Sequence, residues 1–220
     1  MKTALVAGAS GLVGSQLTAL LRESDQYGEI HLITRRPLAI GGATIHEHVV
    51  DYEALQKGNS NAGKEIGPVD DIFCALGTTI RKAGSKKAFA RVDHDLVVAL
   101  GVLARQLKAS RFLVVSSLGA DPESSQFYLR VKGDMEASLQ RLDLEQLLIF
   151  RPSLLRGDRD EFRAGEVISN VALRLFAPVV PAKYLPVTDE VLARAMLWAA
   201  SEEQERLRVY ESDEIRKIGG

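Results

Sequence analysis

Short apolar runs alternate with segments of helical periodicity along the first 150 residues. The apolar runs predict strands near residues 3–7, 30–34, 44–50, 70–75, 111–116 and 146–150. Between them, apolar residues recur at helical spacing near 12–23, 86–107 and 128–142. This alternation is typical of a parallel sheet whose two faces are both covered by helices. The pattern therefore predicts an α/β fold, a Rossmann-type doubly wound parallel sheet in three layers.

The rhythm changes after residue 151. The elements expected beyond the main pattern are a short helix after Asp51, a solvated loop at 57–68, a charged loop at 156–166, an apolar helix near 166–176, a helix capped by Thr188 and a small strand at Leu207–Tyr210. Neither an internal repeat nor a linker interrupts the chain. We predict one domain over 1–220, in which 151–220 forms a small C-terminal extension.

The composition argues against some classes of binding partner. The chain has 220 residues, 46% hydrophobic content and a formal net charge of −1, so no bulk field attracts nucleic acid or an anionic membrane. Its one cysteine, Cys74, excludes an internal disulfide and indicates a cytoplasmic location. A basic leader and an apolar stretch of about 18 residues are both lacking, which predicts a soluble protein without membrane insertion.

Three glycines follow the first strand at Gly8, Gly11 and Gly14. Glycines at this point let the backbone turn tightly and approach a pyrophosphate, which then lies against the free N–H groups of the next helix. An ordinary turn also uses glycines, and the pattern alone does not exclude one. Its place at the opening of a strand–turn–helix unit favours dinucleotide binding.

The second strand ends in Arg35 and Arg36, and Arg35 lies 21 positions after Gly14. An acidic residue at this distance binds the ribose of NAD, whereas an arginine accommodates the 2′-phosphate of NADP. The sequence therefore predicts NADP(H), although two solvated arginines are the alternative. Asp51, at the end of the third strand, is either an adenine acceptor or a helix N-cap.

The fourth strand runs into Leu76, Gly77 and Thr78. The carboxyl ends of strands face the ligand crevice in open α/β sheets, so this turn is expected beside the cofactor. The basic segment 81–87 follows. It is either a solvated loop or a flap that closes over an anionic ligand.

A catalytic pattern follows the fifth strand. Tyr128 and Lys132 are four residues apart in a helical segment, which places both side chains on one face. A free tyrosine ionises near pH 10, and a neighbouring ammonium brings its chemistry closer to neutral pH. Ser116 and Ser117 end the fifth strand, where a hydroxyl can orient a substrate carbonyl. Together these four side chains predict acid–base chemistry at the same sheet edge.

The chain resembles the short-chain dehydrogenase/reductase family, whose glycine motif, paired serines and Tyr-x-x-x-Lys motif occur here in the family's order. It is more similar to the atypical subgroup typified by the Tat-interacting protein of 30 kDa. The segments that carry this closer resemblance are Cys74–Thr79, Arg91–Asp95, Ser116–Asp121, Tyr128–Gly133 and Phe150–Pro152.

The resemblance implies an NADPH-dependent oxidoreductase that reduces a small carbonyl-like substrate. Tyr128 is then the proton donor, Lys132 tunes it, and Ser117, less readily Ser116, orients the substrate. The implied cofactor contacts are Ser10, Gly11, Leu12, Val13, Arg35, Arg36, Leu76, Gly77, Tyr128 and Lys132. Asp93 stands near the place of a family asparagine that supports a proton relay, which puts that relay in doubt.

Alternatives remain open at this stage. The same pocket also suits an NADPH-sensing binding protein without turnover, and the motifs are shared with nucleotide-sugar epimerases, although little chain follows residue 151. A homodimer or a protein partner is compatible with the exposed helices. The four histidines lack metal-ligand spacing, so no metal is expected.

Overall fold

Seven parallel strands form the central sheet of the computed structural model, which describes residues 1–58, 61–156 and 181–220. Their order across the sheet is β3-β2-β1-β4-β5-β6-β9. The strands are β1 (Lys2–Ala7), β2 (Tyr27–Thr34), β3 (Ile45–Val49), β4 (Asp71–Cys74), β5 (Arg111–Val115), β6 (Gln146–Arg151) and β9 (Leu207–Glu211). A separate parallel pair joins β7 (Leu155–Arg156) to β8 (Val187–Thr188). The predicted Rossmann-type class is confirmed.

Helices cover both faces of the sheet. They are α1 (Leu12–Glu23), α2 (Tyr52–Gln56), α3 (Ala62–Ile66), α4 (Ile80–Ala83), α5 (Lys86–Ala90), a π-helical turn (Arg91–Asp95), α6 (Leu96–Gln106), α7 (Phe127–Gln140), a 3-10 turn (Ala182–Tyr184), α8 (Asp189–Ser201) and α9 (Ser212–Gly219).

Side chains on the two faces of the central strands belong to two separate hydrophobic cores. On β1, Ala4 and Val6 pack with α1 and α8, whereas Leu5 and Ala7 pack with α6 and α7. All four side chains are fully buried. Because both faces are apolar, the central strands appear in the sequence as continuous apolar runs rather than as alternating ones.

Several local predictions differ from the structure. The helix expected over 86–107 is divided by the π-helical turn Arg91–Asp95. The loop expected over 57–68 contains α3, whose Ala62 and Ile66 are buried in the second core. Segment 81–87 forms parts of α4 and α5, and α9 was not predicted. The apolar helix expected near 166–176 lies outside the described residues.

The C-terminal extension packs against the sheet, and its last strand forms where the sequence predicts it. Thr188 caps α8, since its hydroxyl accepts a hydrogen bond from the Val191 N–H at 3.2 Å. The predicted strand at Leu207–Tyr210 is β9, which pairs with β6. The described part of the extension therefore adds β9 to the edge of the sheet and α8 to the face that α1 covers.

Three histidines lie on one face of the opposite sheet edge. His31 on β2 lies 2.8 Å from His48 on β3, measured between Nδ1 and Nε2, and its ring also stacks on that of His46. Burial, followed by the two neighbouring imidazoles, lowers the pKa of His31 to about 4. Among the described residues, no group of three or more histidine, cysteine, aspartate or glutamate side chains could hold a metal ion.

The histidine contact predicts acid sensitivity. Unfolded His31 takes up a proton near pH 6.5, whereas folded His31 does so only near pH 4. The unfolded chain therefore binds more protons between these values, and the free energy of unfolding should fall as the pH drops through this window. Urea denaturation at pH 7 and pH 5 should show a smaller loss for His31→Phe than for the native protein. An equal loss in the two proteins would contradict the assignment.

Candidate functional site

The glycine turn joins β1 to α1 at the carboxyl edge of the sheet. Gly8 has a φ of +92°, which favours glycine, and its carbonyl accepts a hydrogen bond from the Gly11 N–H at 2.8 Å. A Cβ at Gly14 would lie 2.1 Å from the Gly8 oxygen. A side chain at that position is therefore excluded, and the first turn of α1 packs directly on the loop. This arrangement presents the N-terminus of α1 to the sheet edge.

A cavity of about 810 Å³ extends along this edge. Its volume lies in the range of small-molecule and cofactor sites. The predicted cofactor residues that line it are Gly8, Ser10, Gly11, Leu12, Arg35, Arg36, Asp51, Leu76, Gly77 and Thr78. Val13 does not line it and is buried in the first core, and Gly14 lies behind the turn. The structure thus brings together most of the predicted binding residues.

One end of the cavity is strongly basic. Arg35 and Arg36 are exposed and line it directly after β2. The loop that follows is fixed by Glu47, whose carboxylate accepts the N–H groups of Leu38 at 2.9 Å and Ile40 at 2.7 Å. These backbone donors lower the pKa of the Glu47 carboxyl. The two arginines therefore lie between the end of β2 and a loop that is held by hydrogen bonds to Glu47.

Asp51 satisfies one of its two predicted roles directly. Its Oδ1 accepts a hydrogen bond from the Glu53 N–H at 2.8 Å, which caps α2. The residue also lines the large cavity, which is the position that the predicted contact with adenine requires. Lys82 of α4 and Arg91 line the same cavity, and Arg91 pairs with Glu53 at 3.0 Å. The basic segment thus forms a wall of the cavity.

The predicted catalytic side chains meet beside the inner end of this cavity. Tyr128 and Lys132 of α7 and Ser116 and Ser117 after β5 line a second space of about 20 Å³. The second space shares Leu76 and Thr78 with the large cavity, so the two adjoin. The other residues that line it are Asp93, Val115, Pro152, Ser153 and Leu155.

The two serines differ in their surroundings. Ser116 is buried, and its hydroxyl donates to Glu136 of α7. Glu136 is in turn held by Arg151, whose Nε and Nη2 lie 3.0 Å and 2.5 Å from its two oxygens. These bonds with Glu136 raise the pKa of Arg151. Ser117 makes a longer contact, 3.4 Å from its hydroxyl to the Leu118 carbonyl.

Asp93 was expected only as a departure from a family asparagine, but the structure gives it a direct partner. Its Oδ1 lies 2.9 Å from the Lys132 ammonium. Its Oδ2 accepts the Thr78 N–H at 2.8 Å. The π-helical turn that carries Asp93 is a rare geometry that occurs frequently at functional sites.

Sequence reasoning missed Glu136 altogether. A signal was present, since Glu136 follows Lys132 by four residues and therefore shares the helix face of Tyr128 and Lys132. A carboxylate on a buried helix face needs a partner. The partner, Arg151, is at the end of β6 and is not identifiable from spacing.

Comparison with known proteins decides the family. Residues 4–133 match the family model described as NAD dependent epimerase/dehydratase family. The chain belongs to this family. It is 38% identical to Protein HTATIP2 of Rattus norvegicus over 169 residues, which covers 75% of this chain and 67% of the relative. It is 31% identical to Protein FMP52, mitochondrial, of Eremothecium gossypii, with 98% and 96% covered. The predicted resemblance to the atypical short-chain dehydrogenases/reductases is confirmed.

Several solved structures share the fold. MoeE5 in complex with UDP-glucuronic acid and NAD superimposes with a TM-score of 0.70 at 20% identity, covering 96% of this chain and 76% of that one. The UDP-glucuronic acid 4-epimerase from Bacillus cereus in complex with NAD gives 0.65 at 14% identity, covering 94% and 76%. These likenesses agree with the Rossmann-type fold described above.

The predicted cytoplasmic location is wrong, as the names of the relatives matched by sequence indicate. The FMP52 relatives from Eremothecium gossypii, Debaryomyces hansenii, Coccidioides immitis and Chaetomium globosum are all named mitochondrial. The prediction had relied on a single cysteine and general composition, which carry little information about location. No helix among the described residues is long and apolar enough to cross a membrane.

The unequal surroundings of the serines give a test by stability. Ser116→Ala removes a donor from a buried carboxylate and should lower the free energy of unfolding by about 1–3 kcal/mol. Ser117→Ala should change the free energy of unfolding by less than about 0.5 kcal/mol, since the one hydrogen bond of its hydroxyl among the described residues is the long contact with the Leu118 carbonyl. Urea denaturation of both variants measures the difference. Equal losses would show that Ser116 is not held as described.

Proposed function

We propose that the protein is an NADPH-dependent oxidoreductase of the atypical short-chain dehydrogenase/reductase type that reduces a small carbonyl-like substrate. The observation that carries the proposal is the junction of the two cavities at Leu76 and Thr78. The large cavity offers a glycine turn and two arginines, and the small one offers Tyr128 and Ser117. Binding residues and acid–base residues thus lie along one continuous edge.

The residues present fit the proposed coenzyme. The close approach of Gly14 to Gly8 leaves the backbone N–H groups at the start of α1 open to a pyrophosphate. Arg35 and Arg36 provide planar, permanently charged groups for a 2′-phosphate. The solved structures with the same fold that are described above contain NAD, so the proposed preference for NADPH depends on these two arginines.

When bound, the reduced nicotinamide coenzyme supplies the hydride of a carbonyl reduction. Tyr128 holds the proton at its phenolic oxygen and delivers it to the substrate oxygen. Lys132, four residues along the same helix face, provides a positive charge beside the phenol. Ser117 orients the substrate oxygen by a hydrogen bond, because the Ser116 hydroxyl is held by Glu136. Ser116 is thereby assigned a structural role.

We further propose that residues 1–220 act as one domain and that 151–220 contributes the substrate side. Pro152, Ser153 and Leu155 line the small cavity, which supports this assignment. Ser153 also ties the region together, since its N–H donates to Ser212 at 3.1 Å and its hydroxyl donates to the Leu185 carbonyl at 2.6 Å.

A second candidate function is an NADPH-sensing protein without turnover. It is favoured by the small size of the space beside Tyr128, about 20 Å³ between the described residues. Such a space holds roughly one water molecule. A sensor of this kind would bind coenzyme without room for a substrate.

Coenzyme preference is tested by calorimetric titration with NADPH and NADH. The native protein should bind NADPH more tightly, and the double variant R35A/R36A should lose about tenfold or more in NADPH affinity, which is roughly 1.4 kcal/mol or more. Its NADH affinity should change by less than about threefold, since NADH lacks the 2′-phosphate. Lys57→Ala, at the exposed C-cap of α2, is a control that removes one positive charge outside the lining of the cavity. Equal losses for both coenzymes would contradict a contact with the 2′-phosphate.

Turnover is tested with Tyr128→Phe. A panel of carbonyl compounds is followed by the absorbance of the reduced nicotinamide. The variant should lose about 100-fold or more in rate because it lacks the proton donor, with NADPH affinity retained. Unchanged turnover would remove Tyr128 from the mechanism. Tight NADPH binding by a native protein that turns over nothing in the panel would favour the sensor.

A further inference from the structure

Lys132 is an ionisable group with almost no access to solvent. Its side chain is 4% exposed, and that of its partner Asp93 is 2% exposed. Burial disfavours the charged form of a lysine, and a buried lysine without a carboxylate can lose its proton near neutral pH. A carboxylate in contact favours the ammonium form. The protonation state of Lys132 therefore depends on the groups that surround it.

Within the described ranges, the other titratable groups close to Lys132 do not replace Asp93 as its countercharge. Cys74 of β4 is buried, which raises the pKa of its thiol to about 12, so the thiol stays neutral. Glu136, on the next turn of α7, is already held by Arg151 and Ser116. Tyr128, on the preceding turn, supplies a phenol and no carboxylate. Lys132 also donates a hydrogen bond to the Val115 carbonyl of β5 at 3.4 Å, and that carbonyl carries no net charge.

Asp93 is itself fixed from two sides. The Thr78 N–H occupies its Oδ2 at 2.8 Å, and this leaves Oδ1 directed to Lys132 at 2.9 Å. An asparagine at this position, as the family resemblance leads one to expect, has a single oxygen, so with Thr78 bound to that oxygen it would offer Lys132 neither an acceptor nor a charge. The aspartate therefore adds a countercharge that the amide does not have.

We propose that Asp93 is a positioning residue that keeps Lys132 protonated throughout the neutral pH range. Its importance for catalysis rests on the proposed function, in which Lys132 provides positive charge beside Tyr128. The protonation state itself is a property of the protein without coenzyme. It is therefore measurable independently of turnover.

The experiment is an NMR titration of the protein without coenzyme, labelled with ¹³C at lysine Cε. The Lys132 signal is assigned by its absence in Lys132→Arg. In the native protein this signal should show no deprotonation below about pH 9. In Asp93→Asn, which retains an acceptor for Thr78, the midpoint should fall by about two pH units or more.

Asp95→Asn is the matched control, because Asp95 belongs to the same π-helical turn and its side chain is 52% exposed. It should leave the Lys132 midpoint unchanged. A structural role for Asp93 alone would lower stability in Asp93→Asn without moving the midpoint, and that result would overturn the proposal.

Native Lys132 that is already neutral at pH 7 would overturn the proposal as well, and this measurement does not require Asp93→Asn to fold. Failure of NADPH to bind in the calorimetric titration would refute the proposed function. It would leave the midpoints, and the conclusion on Asp93, intact. The two failures are therefore distinguishable.

Discussion

The geometry of the whole site depends on one steric constraint, the contact between the start of α1 and the backbone of Gly8. The Gly8 oxygen lies where a side chain at residue 14 would begin. With glycine at both positions, α1 starts directly over the end of β1, and its free N–H groups face the carboxyl edge. The large cavity, the arginines after β2 and the turn after β4 are all arranged around this helix end.

A second organising feature is helix α7, which carries two buried charges of opposite sign on one face. Lys132 pairs with Asp93 and Glu136 pairs with Arg151. Buried ion pairs contribute little net stability compared with apolar packing, but loss of one partner is costly. Their main effect here is to fix the position of α7, and hence of Tyr128, relative to the turn after β4 and the end of β6.

The features that the sequence predicted are those determined by local patterns. Continuous apolar runs identify the central strands of the sheet, because both faces of these strands are buried. The spacing of Tyr128 and Lys132 placed them on one helix face. The features that were missed depend on contacts between distant residues. The π-helical turn, the burial of α3 and the attachment of Ser116 to Glu136 arise from tertiary packing, which periodicity does not reveal.

The last strand has a consequence for the order of assembly. Glu211, the second carboxylate that binds Arg151, and Ser212, whose hydroxyl accepts a hydrogen bond from the Ser153 N–H, both follow β6 by about sixty residues along the chain. During synthesis on the ribosome, the half of the sheet around β1 emerges first, and the support for β6 and its following loop emerges only with residues 211 and 212. The small cavity beside Tyr128 therefore takes its final form after the large cavity around the glycine turn.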